Sequence, residues 1–196
     1  MSSLNRLDGA GRVVDHKPAL ILGVDVITEE HPSAANLGIL IDHELFHRYH
    51  YQVAGFSDDN AQHEVVWKGL WAEGLATYVS MKLNSPATMQ DALFLPLDLV
   101  TRSKPILPRL ISELSTRLDT VDPAYFSELF TYRGAHTNPP SRVGYFIGAL
   151  AAQDLAIHRS LTELAHMQPS TVRPELAKAL DHVRAAFEKN EAGAQH

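Results

Sequence analysis

Apolar and polar positions divide the first half of the chain into three predicted elements. Residues 19–27 form a run dense in branched apolar side chains, which predicts a β-strand. A second apolar run at residues 36–41 predicts a helix from about Ser33 to Val53, with Ser33 as its N-cap. A further helix is predicted from about Glu64 to Leu83, where Asn84-Ser85-Pro86 ends it.

The second half is punctuated by prolines, and the pattern predicts helices with few strands. Residues 86–140 read as several short helices separated at Pro96, Pro105, Pro108 and Pro123, one of them amphipathic from Ile106 to Leu118. Later helices are expected at 142–158 and 174–188, whereas 1–17 is expected to be irregular and the tail from 190 disordered.

These elements predict a mostly α (α+β) fold with a small N-terminal β element and a helical C-terminal part. Residues 1–189 are expected to form one domain, which can include a helical subdomain at 86–189, with residues 190–196 as its tail.

The polar residues on the first helix form the motif H-E-x-x-H. His43 and His47 are four residues apart, so a helix places both on one face, where two imidazole nitrogens can bind one metal ion. Glu44 lies about 100° around the helix, a position from which it reaches a metal-activated water more easily than the metal itself. The motif therefore predicts a zinc hydrolase site with a general base.

The alternative is a solvated helix face that carries two histidines by chance. With 11 histidines and 11 glutamates in 196 residues, roughly 0.03 chance matches to the motif are expected. The apolar run at residues 36–41 favours a buried helix, and buried polar side chains require partners. A metal ion explains two histidines and a glutamate on such a helix.

Glu73, in the middle of the next helix, is the candidate third ligand. A carboxylate among apolar neighbours is costly to bury without a partner. Ala72, Gly74 and Ala76 beside it allow another helix to approach closely, and a glycine inside a helix costs about 1 kcal/mol unless packing requires it. The alternative is that Glu73 lies on the exposed face of an amphipathic helix.

Other histidines compete for a role. His50 is a candidate for support of a ligand, for substrate contact or for the surface, and His63 lies in the loop before the second helix. A third-histidine site of the metzincin type requires histidine where Val53 stands. His136 lies in a loop at 131–140 that is placed to line a cleft. The remaining histidines are expected to be solvated: His16, His31, His158, His166, His182 and His196.

Three segments together resemble a known group of enzymes. H-E-x-x-H followed by Glu73-Gly74-Leu75-Ala76-Thr77-Tyr78 resembles the gluzincin zinc peptidases, which carry an E-G-L-A-x-Y/F segment. The segment at 140–148, PSRVGYFIG, is similar to the P-x-R-x-G-Y-x-I-G segment of a bacterial family of predicted zinc-dependent proteases. The resemblance spans residues 42 to about 155.

The resemblance implies one zinc ion per chain, held by His43, His47 and Glu73, with Glu44 as general base. It also implies that Tyr145, or else Arg142, donates to the oxyanion; alternatively, Arg142 binds a substrate carboxylate through its planar fork, and Tyr145 is a core aromatic.

The sequence departs from the family pattern in two places. No G-x-M-E-N-like segment precedes the first helix, which argues against the aminopeptidase subgroup. Thr77 stands where thermolysin-like enzymes have an acid that orients a zinc histidine, so Thr77, Asp42 and Asp25 are the candidates for that task.

The amino-acid composition and net charge argue against some classes of binding partner and cellular location. The net charge of −6 and the absence of a basic patch argue against nucleic acid. Cysteine is absent, which excludes disulfides and thiolate metal sites. No apolar run is long enough to predict a membrane span, and no signal peptide is evident, so we expect a cytoplasmic protein unless a leader has been removed.

The expected function is hydrolysis of a peptide or unfolded protein by a zinc peptidase. Two alternatives remain open: a zinc hydrolase of a non-peptide amide or ester, and a non-catalytic, zinc-stabilised module that binds a peptide or protein.

Overall fold

The computed structural model describes residues 9–30, 34–56 and 65–193. In this part of the chain, strands β1 (Gly9–Val14) and β2 (Lys17–Leu22) precede ten helices and a 3₁₀ turn at Lys104–Ile106. The helices are α1 (Val24–Glu30), α2 (Ala34–Ala54), α3 (Val66–Leu83), α4 (Met89–Leu93), α5 (Leu99–Ser103), α6 (Leu107–Ser115), α7 (Pro123–Phe130), α8 (Val143–Leu155), α9 (Leu161–Ala165) and α10 (Pro169–Gly193). The prediction of a mostly helical fold with a small N-terminal β element is confirmed.

Residues 9–22 form a β-hairpin, so the predicted irregular stretch at 1–17 is wrong from residue 9 onwards, and its first eight residues lie outside the described part of the chain. β1 and β2 are antiparallel, with Val14 opposite Lys17 and Gly9 opposite Leu22. The two residues between them, Asp15 and His16, have φ of 49° and 62°. Positive φ at both central residues is the type I′ geometry that matches the twist of a hairpin.

The predicted strand at 19–27 is correct only up to Leu22. Gly23 ends it, and Val24 begins α1, in which the amide of Ile27 donates to the carbonyl oxygen of Gly23. Asp25 lies in the first helical turn, where a negative charge is favourable. The branched side chains of this segment favour a strand in isolation, but their intrinsic preference is weak and the local backbone hydrogen bonds decide the outcome.

The two long helices predicted in the first half are present. α2 and α3 end within one residue of the predicted positions, at Ala54 and Leu83. Their predicted first residues, Ser33 and Glu64, lie outside the described residues. Most of α3 is buried, including Trp71 and Leu75, so this helix forms the centre of the core.

α3 and α8 are in backbone contact at a pair of glycines. A Cβ atom on Gly74 would collide with the backbone of Gly148, and a Cβ on Gly148 would collide with the carbonyl of Leu70. The prediction that packing explains Gly74 is confirmed. This contact brings the middle of α3 beside the start of α8.

The C-terminal helices differ from their predicted bounds. The predicted amphipathic helix at 106–118 is shorter, as α6, and the helix predicted at 142–158 is α8, which ends at Leu155. α10 begins five residues before the predicted Pro174, contains that proline, and continues through the predicted disordered residues 190–193. Its buried face packs on α8 and α6, and this burial offsets the free-energy cost of a proline inside the helix. The face consists of Val172, Leu176, Ala179, Leu180 and Val183.

None of the described helices is both long and apolar enough to cross a membrane.

Candidate metal centre

His43, His47 and Glu73 converge on one point between α2 and α3. The His43 Nε2 and His47 Nε2 atoms are 3.0 Å apart, and Glu73 Oε2 lies 3.3 Å from the first and 3.2 Å from the second. Their side chains are 6%, 13% and 25% exposed in the same order, so the group opens to solvent on the side of Glu73. These three residues form a group that can hold a metal ion.

The spacing of the three atoms fits a tetrahedral metal ion. Ligand atoms bound about 2.0–2.1 Å from zinc at the corners of a tetrahedron are roughly 3.3 Å from one another. The three observed separations lie within a few tenths of an ångström of that value. Hydrogen bonds alone explain the cluster poorly, because each Nε2 carries at most one proton while three short contacts must be satisfied.

The charges around Glu73 favour its ionised form. Burial alone would raise the pKa of the Glu73 carboxyl, but the charge of His47 and the hydrogen bonds with His43 and His47 hold it well below its usual range. The carboxylate is thus ready to act as a ligand at neutral pH. No other His, Asp or Glu among the described residues joins the group, which leaves a fourth tetrahedral position for water or substrate.

The predicted support of the ligands is not observed. Among the described residues the buried Nδ1 atom of His43 has no hydrogen-bond partner, so Thr77, Asp42 and Asp25 do not orient this ring by a direct bond. Asp42 instead accepts a hydrogen bond of 2.7 Å from Asn84 Nδ2, and the buried Thr77 hydroxyl has no hydrogen-bond partner in the described part of the chain. Packing against aromatic rings holds the histidines in place: Tyr145 stacks on His43, and Tyr51 stacks on His47 at 6.0 Å.

Glu44 is half-buried and lies against β1. A Cβ atom on Gly9 would stand 2.8 Å from Glu44 Cγ and 3.3 Å from Cδ, so a larger residue at position 9 would require this side chain to shift. Of the two strands, β1 packs on α2.

Tyr145 and Arg142 lie at the start of α8, beside the three ligand candidates. The Tyr145 ring centre is 6.2 Å from that of His43, with the planes 20° apart. The guanidinium carbon of Arg142 is 4.3 Å from the centre of the Tyr145 ring. The structure therefore brings Tyr145 and Arg142 beside His43, His47 and Glu73, while Glu44 follows His43 in α2.

His50 is a core residue, so its possible place on the surface is excluded. It is fully buried, and its ring packs between Phe46 at 5.6 Å and Phe56 at 4.9 Å. Neither ring nitrogen has a hydrogen-bond partner within residues 9–30, 34–56 and 65–193. Burial, with a smaller contribution from the charge of His47, lowers its pKa from 6.5 to about 4.

This burial predicts acid sensitivity that His50→Phe removes. Between pH 6.5 and about 4 the unfolded chain binds a proton at His50 that the folded chain does not, so stability falls as the pH falls through this window. The metal-free wild type should lose about 3 kcal/mol more than metal-free His50→Phe. Denaturant unfolding of both proteins at pH 7 and pH 4 measures this difference in stability loss, because the ionisable groups that the two proteins share contribute equally to both. An equal loss of stability in the two proteins would contradict the prediction.

The remaining predicted positions have separate outcomes. His136 is exposed, and the 131–140 loop lines a cavity between α6, α7 and α8, with Asn138 and Pro139 in its wall. His63 lies outside the described residues. Sequence reasoning missed Gly9 and Tyr51; the spacing of four residues between His47 and Tyr51 was the available indication for the latter.

The chain was compared with models of known protein families, with curated proteins and with solved structures, and none of them matches it significantly.

Proposed function

We propose that this protein is a zinc-dependent peptidase of the gluzincin type, with a zincin-like fold. The convergence of His43, His47 and Glu73 on one point, next to Glu44, is the observation that carries the proposal. Two nitrogen ligands, one carboxylate and an open fourth position are the donor set of a catalytic zinc site rather than a structural one. Imidazole and carboxylate donors at tetrahedral spacing are compatible with zinc, and the H-E-x-x-H motif favours it.

The chain's own groups supply the proton transfers. Zinc, when bound, lowers the pKa of water to about 7 and polarises a carbonyl oxygen. The Glu44 carboxylate accepts the proton of the attacking water and passes it to the leaving amine. The Tyr145 hydroxyl donates to the carbonyl oxygen as negative charge develops there, a contribution worth about 3 kcal/mol in comparable oxyanion sites.

The two alternatives predict different results. A non-catalytic zinc module does not need a glutamate at position 44, and a purely structural zinc is usually enclosed by four protein ligands. Only three are found among the described residues. A hydrolase of non-peptide amides or esters would use the same groups, so the substrate separates it from a peptidase.

The test combines metal analysis with a mixed peptide library and a set of amide and ester compounds. We expect about one zinc per chain, hydrolysis of peptides, loss of hydrolysis on chelation and its return with zinc. Hydrolysis of esters or small amides alone would favour the second candidate. Tightly bound zinc without hydrolysis of any substrate would reject the enzymatic proposal and favour the binding module.

The position of β1 gives a separate prediction. Gly9→Ala should displace the Glu44 side chain, because the new Cβ would approach Cγ within 2.8 Å. We expect kcat to fall about tenfold with little change in zinc content, since a displaced general base loses part of its contribution of about 10²–10⁴. Zinc content and kcat, measured beside Ala185→Gly on the exposed face of α10 as control, test this. A Gly9→Ala protein with unchanged kcat would contradict the contact.

A further inference from the structure

The aromatic ring of Tyr145 contacts both a ligand candidate, His43, and a cation, the Arg142 guanidinium. The Tyr145 ring stacks on His43 at 6.2 Å and carries the Arg142 guanidinium 4.3 Å from its centre. The guanidinium carbon therefore lies no farther from the His43 ring centre than these two distances combined. An extended peptide rises about 3.3–3.6 Å per residue, so this span corresponds to at most about three residues of substrate.

The Arg142 guanidinium has no anionic partner in the described part of the chain. Several other arginines have polar partners: Arg159 binds Glu175, Arg173 binds Asp119, and Arg102 donates to the carbonyl oxygens of Ala135 and Thr137. Arg142 is half-buried, and its guanidinium stacks on the Tyr145 ring. Its planar fork of N–H donors is thus left to match a carboxylate.

The backbone at Arg142 is held in an unusual conformation. Its φ of 62° and ψ of 20° place it in the left-handed region, which side chains larger than Asn or Asp rarely adopt. Such a conformation persists only where the surroundings enforce it, and it is concentrated at ligand-binding positions. Asn or Gly would relieve the strain, but neither offers a guanidinium.

We propose that Arg142, stacked on Tyr145, binds the C-terminal carboxylate of a short peptide, so that the enzyme releases fragments of one to three residues from the C-terminus. This inference rests on the proposed peptidase function. A terminal carboxylate is always on the leaving-group side of the scissile bond, and the span from Arg142 to the metal centre sets the fragment length. The side chain of an Asp or Glu in the peptide also offers a carboxylate, and the experiment distinguishes a terminal carboxylate from a side-chain carboxylate.

The experiment uses three peptides on the zinc-loaded full chain: one with a free C-terminal carboxylate, the same sequence as the C-terminal amide, and an amide that ends in Glu. For the wild type we expect kcat/KM to favour the free acid over the plain amide by about tenfold to a hundredfold, mainly through KM, as a charge-assisted hydrogen bond would give. Arg142→Gln should bring this ratio close to one, and Arg142→Lys should restore part of it.

Arg109→Gln is the matched control. Arg109 is an exposed arginine on α6. It lines the cavity between α6, α7 and α8, which Val143 and Ile147 of α8 also line. The acid-to-amide ratio of this variant should equal that of the wild type. Equal rates for acid and amide in the wild type, or an unchanged ratio in Arg142→Gln, would overturn the proposal. Preference for the Glu-terminated amide alone, lost in Arg142→Gln, would overturn the terminal assignment in favour of a side-chain carboxylate.

A binding measurement separates this inference from the proposed function. Zinc-loaded Glu44→Gln and the double variant Glu44→Gln/Arg142→Gln are titrated with the acid and amide peptides by calorimetry. Tighter binding of the acid, lost in the double variant, supports Arg142 even if the wild type hydrolyses nothing and the peptidase proposal fails. Equal or undetectable affinity for both peptides overturns the inference. Thermal unfolding of each variant verifies that it is folded.

Discussion

Glu44→Gln is expected to keep the bound zinc and to lose about a thousandfold in kcat. Glutamine has the shape of glutamate and preserves the contact with Gly9, but its amide does not accept the proton of the attacking water. General bases of this kind contribute about 10²–10⁴ to the rate. Because Glu44 is not a member of the group of three ligand candidates, its substitution should leave the zinc content unchanged.

The measurement compares zinc content and peptide hydrolysis in Glu44→Gln, the wild type and Glu113→Gln. Glu113 is an exposed carboxylate on α6, and its variant should behave as the wild type in both assays. Hydrolysis at the wild-type rate in Glu44→Gln would assign the general base to another group. Loss of zinc in that variant would instead make Glu44 a ligand, and the division of roles between Glu44 and Glu73 would be wrong.

Most of this site could be predicted because its chemistry is local in sequence. The spacing of His43 and His47 fixes their common face through helix geometry alone. Glu73 required a longer inference, from a carboxylate among apolar residues to the need for a partner on another helix. The structure brings these three together, while their identity as zinc ligands stays a prediction.

The parts that the sequence did not predict depend on contacts between distant segments or on weak turn preferences. Asp15-His16 forms the hairpin turn without the Asn-Gly or Asp-Gly pair that usually indicates one. β1 packs against Glu44 at Gly9, where a residue without a side chain leaves room for the glutamate. The left-handed conformation of Arg142 has no local indication, because arginine rarely adopts it.

Gly74→Ala is expected to destabilise the protein by about 3 kcal/mol, at the upper end of the cost of overpacking. Inside an ordinary helix the same change is stabilising by about 1 kcal/mol, so the sign of the effect identifies the contact. The new Cβ would meet the backbone of Gly148, which has no side chain that could rotate away. α3 and α8 would have to separate, and the melting temperature should fall by about 10 °C.

The same separation should weaken the metal site, since Glu73 precedes Gly74 and Tyr145 lies one turn before Gly148. Zinc affinity in Gly74→Ala should therefore fall together with stability, whereas Ala185→Gly on the exposed face of α10 should cost about 1 kcal/mol and leave zinc affinity unchanged. Gly148→Ala disrupts the same contact, so the effects of the two substitutions should be less than additive in the double variant. Denaturant unfolding and zinc titration of the wild type and these variants measure both effects. A Gly74→Ala protein as stable as the wild type would mean that α3 and α8 do not meet at these glycines.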